Sequence, residues 1–214
     1  MKQSNRGSLI ILSGPSGAGK GTIHNELLKN NKHLKYSVSM TTRKQRVGEK
    51  EGIDYFFVSE EEFLKEIEKD SFLEYAKVHG NYYGTLKRVV DKDLDNGYDV
   101  ILELDIQGAL NIKTKNLDGI FIFIMPPSME ELKNRLVKRG TETKEQLIER
   151  FKNAYKEINE FSKYNYVVIN DEVETAVRKV EAIMLAEKCR VERIEEFEVH
   201  NQEELIHELL VDLK

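Results

Sequence analysis

Apolar positions in this chain fall into short runs separated by stretches with helical spacing. Residues 9–13, 100–104, 120–125 and 166–169 are brief, rich in β-branched side chains and almost unbroken, as expected for strands buried on both faces of a parallel sheet. Residues 60–69, 129–138, 144–161 and 173–190 instead repeat their apolar positions every three or four residues, which predicts amphipathic helices. Two of these carry start signals: Ser59 is followed by Glu62 and Ser128 by Glu131, the spacing of a capping box. Strand and helix in alternation predict an α/β fold with a parallel sheet flanked by helices.

The alternation breaks once. Residues 37–85, from "SVSMTTRKQR" through "DYFFVS" to "FLEYAKVHGNYYGT", read as several short strands around one helix with tight Gly-Asn turns, hence an inserted α+β subdomain. A second interruption, "KRGTETKEQ", joins two helices through glycine and small polar residues and reads as a lid spanning 137–150. The expected plan is one domain over residues 1–214: a core of 7–36 and 86–190, the insertion 37–85, the lid, and a helical tail 191–214. In that tail Leu205, Ile206, Leu209, Leu210 and Leu213 form one apolar stripe, for which packing on the parent domain is the simplest role.

Composition narrows the class. At 214 residues, 40% apolar and 33% charged, the chain can bury a sizeable core. A net charge of -5 disfavours a nucleic-acid partner, whose binding footprint is usually basic. The early apolar run at 9–12 is too short for a membrane span or a signal peptide. Cys189 is the only cysteine, which rules out an internal disulfide framework and suits a reducing, cytoplasmic compartment; it reads as a packing residue. The five histidines show no metal-ligand spacing.

The stretch "LIILSGPSGAGKGT" concentrates four glycines behind the first predicted strand. Gly14, four intervening residues, then Gly19 and Lys20 fit the phosphate-loop pattern, placed between a strand and a helix start where the pattern needs to be. Glycines let consecutive amides turn inward around phosphate oxygens at the positive end of a helix. Lys20 supplies a point charge for the outer phosphates of a nucleoside triphosphate. The bland alternative is a glycine-rich turn with a surface lysine. Gly21 stands where the pattern has Ser or Thr and Thr22 comes one later, which leaves open the hydroxyl that meets magnesium. No G-x-G-x-x-G occurs, against a dinucleotide fold.

"TTRKQRVG", residues 41–48, has three basic and no acidic side chains. Arg43 and Arg46 are two guanidinium forks suited to bidentate phosphate contacts; a solvated charge run is the alternative. Here the chain resembles the guanylate kinase family. "SVSMTTRKQRVGEKEGIDYFF" matches the family's acceptor signature through Thr41, Thr42, Arg43, Arg46, Glu49, Gly52, Tyr55 and Phe56. "GPSGAGKGT", "FLEYAKVHGNYYGT", "LELDIQGA", "RLVKRGTET" and "VVIND" recur at its other landmarks in order. The resemblance spans roughly residues 7–195, and the acceptor signature is its specific part.

The resemblance implies a P-loop fold and transfer of the γ-phosphoryl of ATP, with Mg²⁺, to GMP or dGMP. It places Gly14, Pro15, Ser16, Gly17, Ala18, Gly19, Lys20, Gly21 and Thr22 on ATP together with Arg135 and Arg139, with Thr22 as the candidate metal contact. Ser39, Arg43, Arg46, Tyr55 and Tyr83 would hold the GMP phosphate, and Glu74, Thr85 and Asp105 would face guanine. Lys20, Arg43, Arg139, Arg150 and Asp105 would carry catalysis, with Glu103 a second choice beside Asp105. The physical reading agrees: guanine presents N1–H and a 2-amino group side by side, so one carboxylate accepts both, whereas adenine's bare N1 would repel it. Between Lys133 and Lys152 seven basic residues face three acidic ones, enough to screen charge on a transferring group. No general base is required, because a phosphate monoester with a second pKa of about 6 is largely ionised at neutral pH. Two other readings remain at this point: a catalytically inactive protein-binding domain of this family, and a sugar-phosphate kinase of the same fold. Monomer and homo-oligomer both stay open.

Overall fold

A computed structural model describes residues 6–78, 80–115, 117–138, 144–191 and 210. Five strands, β1 (Leu9–Ser13), β2 (Leu34–Tyr36), β7 (Asp99–Glu103), β8 (Gly119–Met125) and β9 (Tyr166–Ile169), form a parallel sheet in the order β2-β7-β1-β8-β9. Successive side chains of a strand point to opposite faces, and the apolar runs split accordingly. Ile10, Leu12, Ile101, Ile122 and Val168 meet Ile23 and Leu27 of α1 (Lys20–Asn30) and Val177, Val180 and Met184 of α7 (Val173–Lys188). Leu9, Ile11, Val100, Leu102 and Phe121 meet Val90 and Leu94 of α3 (Lys87–Asp95) and Ala109 and Ile112 of α4 (Ile106–Thr114).

Neighbouring strands β1 and β7 thus send their following helices, α1 and α4, to opposite faces of the sheet. Such a reversal opens a crevice beyond the carboxyl ends of the two strands. Residues 14–22 and 103–105 lie there.

A second sheet, β4-β3-β6-β5, contains β3 (Met40–Thr41), β4 (Phe56–Phe57), β5 (Phe72–Val78) and β6 (Asn81–Leu86), with α2 (Glu60–Glu68) beside it. Its core is aromatic: Phe63 of α2 stacks on Phe72 at 4.4 Å and on Tyr82 at 5.2 Å between ring centroids. Gly84 sits in a strand interior because a Cβ there would lie 2.7 Å from the Phe72 ring, so the stack requires the missing side chain. Ser59 and Glu62 form the reciprocal capping box at the start of α2. Helices α5 (Met129–Lys138) and α6 (Lys144–Ile158) share Leu132, Leu136 and Ala154 in a small core of their own.

Several boundaries differ from the hydropathy pattern. Strand β7 begins at Asp99, which is 1% exposed; its carboxylate accepts the Ser8 N–H at 2.9 Å through Oδ1 and faces the Lys188 ammonium at 2.6 Å through Oδ2, so a charged residue enters a buried strand beside an opposite charge. Strand β2, at a sheet edge with only Leu34 buried, leaves almost no apolar signal. Helix α6 ends at Ile158 and tightens into a 3-10 turn over Asn159–Lys163. Cys189 is exposed just after α7, which corrects its reading as a packing residue. The lid residues 139–143 and all of the tail except Val191 and Leu210 lie outside the described residues. No helix among the described residues is long and apolar enough to cross a membrane.

Candidate active site

The glycine loop after β1 takes positive φ at Gly14 (147°), Gly17 (89°) and Gly19 (90°). At Gly14 a Cβ would also fall 2.3 Å from the Ile124 carbonyl oxygen, so that position is closed to any other residue. Gly19 is the N-cap of α1 with no side-chain cap, and no acidic residue occupies the first turn. The first turn of α1 therefore supplies no anion of its own to its positive end. Lys20 folds back over the loop, its Nζ donating to the carbonyls of Gly14 at 2.6 Å and Pro15 at 3.2 Å.

Four side chains, two from α6, one from α5 and one that follows β9, approach this loop. Arg150 Nη2 donates to Ser16 Oγ at 3.0 Å, and the Ser16 N–H donates to Glu157 at 3.3 Å. Arg135 is tied to Glu131 at 2.8 Å and donates to the Asn170 carbonyl at 3.1 Å. Asn170 donates from Nδ2 to the Ala18 carbonyl at 2.7 Å. Arg139 lies outside the described residues.

Beside the loop a cavity of about 220 Å³ opens between the two sheets, lined by Tyr36, Ser39, Tyr55, Glu74, Tyr83, Glu103 and Asp105 among others. Glu74 is 6% exposed. Thr85 donates to its Oε1 at 2.9 Å and lies 3.4 Å from the Ser39 hydroxyl. Burial pushes the Glu74 carboxyl up to about 7; the Thr85 hydrogen bond opposes that shift and the neighbouring Asp105 adds to it. Asp105 caps α4, accepting the Gly108 N–H at 2.7 Å. Both carboxylates crowd Gly108, whose absent Cβ would lie 3.1 Å from Glu74 Oε2 and 3.2 Å from Asp105 Oδ1.

A cation stands beside the cavity lining. Arg43 lies over the Tyr55 ring at 5.4 Å, and Tyr55 meets Tyr83 edge-on at 5.9 Å. Glu49 holds this corner: it pairs with Arg43 Nη2 at 2.7 Å and accepts the Arg46 N–H at 2.8 Å. That hydrogen bond raises the pKa of Arg43, and the same contact lowers that of Glu49. The Arg46 side chain is exposed at the rim.

Glu103 joins the two halves. It lines the cavity and also lies 3.6 Å from where a Gly21 Cβ would be. The glycine loop and the acid-lined cavity, with Arg43 over the ring of its lining residue Tyr55, thus meet at Glu103.

A family profile described as guanylate kinase matches residues 6–187. The chain belongs to the guanylate kinase family. A guanylate kinase of Clostridium perfringens (strain SM101) is 60% identical over 210 residues, covering 98% of this chain and 97% of that protein. One from Clostridium tetani is 60% identical over 97% of this chain and 99% of its own length. The crystal structure of guanylate kinase from Anaplasma phagocytophilum superposes with a TM-score of 0.71 at 36% identity, covering 90% of this chain and 92% of that one. Guanylate kinase relatives of this coverage give no support to the inactive-scaffold or sugar-phosphate readings.

Of the residues singled out in the sequence, Ser39, Tyr55, Glu74, Tyr83 and Asp105 line one cavity, with Thr85 and Arg43 attached to its lining. Lys20, Arg135 and Arg150 gather on the glycine loop. Sequence reasoning missed Tyr36, Gly108, Glu157 and Asn170. Tyr36 stands three residues before Ser39 and Gly108 inside "LELDIQGA", so the flanks of known motifs carried the signal; Glu157, on a helix face of ordinary charge pattern, carried none.

Proposed function

We propose that this cleft transfers the γ-phosphoryl group of ATP to GMP, and to dGMP, yielding ADP and the nucleoside diphosphate. The observation that carries this reading is the buried Glu74 carboxylate facing a cavity whose lining Tyr55 carries Arg43 over its ring and whose wall residue Glu103 lies against the glycine loop. Guanine would donate N1–H and its 2-amino group to Glu74, with Thr85 and Ser39 fixing the carboxylate's orientation. The GMP phosphate would lie on Arg43, Tyr55, Tyr83 and Arg46. Residues 14–22 would cradle the ATP phosphates, with Lys20 leaving the Gly14 and Pro15 carbonyls for phosphate oxygens.

A GMP phosphate oxygen attacks the γ-phosphorus. The new O–P bond forms as the bond to the β-bridging oxygen breaks, and the electron pair leaves on ADP. Because the attacking group is already ionised at neutral pH, no side chain has to remove a proton. Alignment and cationic screening carry the rate, and Arg43, Arg150, Arg139 and Lys20 are the screening groups.

The donor set suits Mg²⁺ held chiefly by phosphates and water. Thr22 is exposed in the first turn of α1 and Glu103 lies against Gly21, while no group of three or more His, Cys, Asp or Glu among the described residues could cage a metal. That combination is typical of magnesium sites completed by substrate. When bound, the ion neutralises charge on the outer phosphates.

A coupled assay with GMP, dGMP, AMP, CMP and UMP tests the proposal. Turnover confined to the guanine nucleotides is expected; preference for any other acceptor overturns it.

A further inference from the structure

Asn170 follows β9 at the edge of the main sheet, and it is 3% exposed. Its N–H donates to the Met125 carbonyl at 2.8 Å, so sheet pairing fixes its backbone. Its side chain reaches the Ala18 carbonyl, 152 positions away in sequence, at 2.7 Å. Arg135 arrives at the same oxygen from α5, with Nη1 at 3.5 Å, while its Nη2 donates to the Asn170 carbonyl. Two donors from two elements converge on one carbonyl of the glycine loop.

The consequence follows from peptide geometry. In a planar trans peptide the C=O and N–H point in opposite directions, so holding the Ala18 oxygen against Asn170 turns the Gly19 N–H away from Asn170, into the turn that receives phosphate. Gly19 itself cannot enforce this. A glycine at φ 90° tolerates either orientation of the preceding peptide, since it lacks the Cβ that would penalise one of them. The residue that lets the loop close also lets this peptide flip, and the lock must come from outside the loop. The fit is mutual: a Cβ on Gly19 would lie 2.3 Å from Asn170 Nδ2.

We infer that Asn170 is a positioning residue that locks the Ala18–Gly19 peptide with its N–H aimed at the triphosphate, making the loop's anion affinity depend on an amide at the end of β9. The inference rests on residues 14–22 binding ATP phosphates.

Calorimetric titration of the full chain with tripolyphosphate, which has neither base nor ribose, isolates the loop from any contact to adenine. Asn170→Leu keeps the volume and deletes the donor; Asn170→Ala serves if the leucine variant does not fold, as judged by thermal unfolding. Losing one buried hydrogen bond weakens binding by about three- to tenfold. That factor is expected for tripolyphosphate and for ATP alike, with GMP affinity unchanged. Unaltered tripolyphosphate affinity, weakening of ATP alone, or a parallel loss for GMP each overturns the role of Asn170. If the unmodified chain fails to bind tripolyphosphate, the phosphate-loop reading falls and this inference with it; binding that the substitutions leave intact removes only the inference.

Discussion

Thr85 donates its hydroxyl to Glu74 at 2.9 Å across β5 and β6, where the two residues are direct cross-strand partners. A hydroxyl has one proton to give, so this bond fixes one carboxylate oxygen and leaves the other, Oε2, beside Gly108. Guanine needs an acceptor, and a protonated carboxyl presents a donor where a lone pair is required. With the Glu74 carboxyl pushed up to about 7 by burial, GMP binding must expel a proton in mildly acidic solution. GMP affinity is expected to fall by roughly tenfold per pH unit well below pH 7 and to level off above it. The GMP phosphate titrates near 6 as well, so the same titration on Glu74→Gln is the control. A pH profile identical in both proteins would sink the assignment.

The same group bears on stability. An acid whose folded pKa lies above its ordinary 4.5 keeps its proton in the fold while the unfolded chain releases it. Destabilisation therefore grows as pH rises from 4.5 to about 7 and stays constant above. Glu74→Gln removes the ionisable group and is expected to stabilise the empty protein by up to ~3 kcal/mol at pH 8, with little gain at pH 4. It should also weaken GMP binding by about 2 to 4 kcal/mol. Denaturant titrations at the two pH values measure the first effect and calorimetry the second. A site that lowers stability in order to hold an acid is a known compromise between fold and function.

Much of this was legible in the chain because each signal was local. The buried strands declared themselves as unbroken apolar runs, and the glycine loop and Ser59–Glu62 cap depend on spacing within a few residues. Asn170 and Glu157 are different in kind: they matter through contacts 152 and 141 positions distant, and although Asn170 stands inside the "VVIND" landmark, no local pattern shows what either side chain touches. Burial was also hard to read. Glu74 is a carboxylate buried because the hairpin packs against α4, whereas Cys189 reads as a packing residue and is exposed past the last turn of α7. Strand β2 escaped notice because three residues with one buried side chain carry too little pattern to recognise.

Lys20 donates to carbonyls of its own loop. Lys20→Ala is expected to lower kcat at least ~100-fold, the scale seen when one preorganised charge-stabilising donor is removed. Stability should fall by about 1 kcal/mol, a shift of roughly 2 to 4 °C in melting temperature. Near-normal turnover in a folded variant would show that the lysine does not meet phosphate.

Gly108 sets two effects against each other. It sits in the first turn of α4, where replacing glycine by alanine favours the helix by up to ~1 kcal/mol. Yet the new methyl would lie 3.1 Å from Glu74 Oε2 and 3.2 Å from Asp105 Oδ1, closer than carbon and oxygen ordinarily approach. The buried Glu74 and the exposed Asp105 carboxylates can each yield by a few tenths of an ångström, and the displacement is small in energy for the fold. It is large for recognition, because misplacement by about 1 Å can cost on the order of 100-fold in a positioned site. Gly108→Ala should therefore hold or slightly raise the melting temperature while raising the KM for GMP by roughly tenfold, with the KM for ATP unchanged. Steady-state kinetics with each substrate varied in turn makes the split visible. Equal losses for both nucleotides would mean that α4 itself had shifted, and no loss for GMP would mean that guanine is read by something other than the Glu74 oxygen that Gly108 leaves room for.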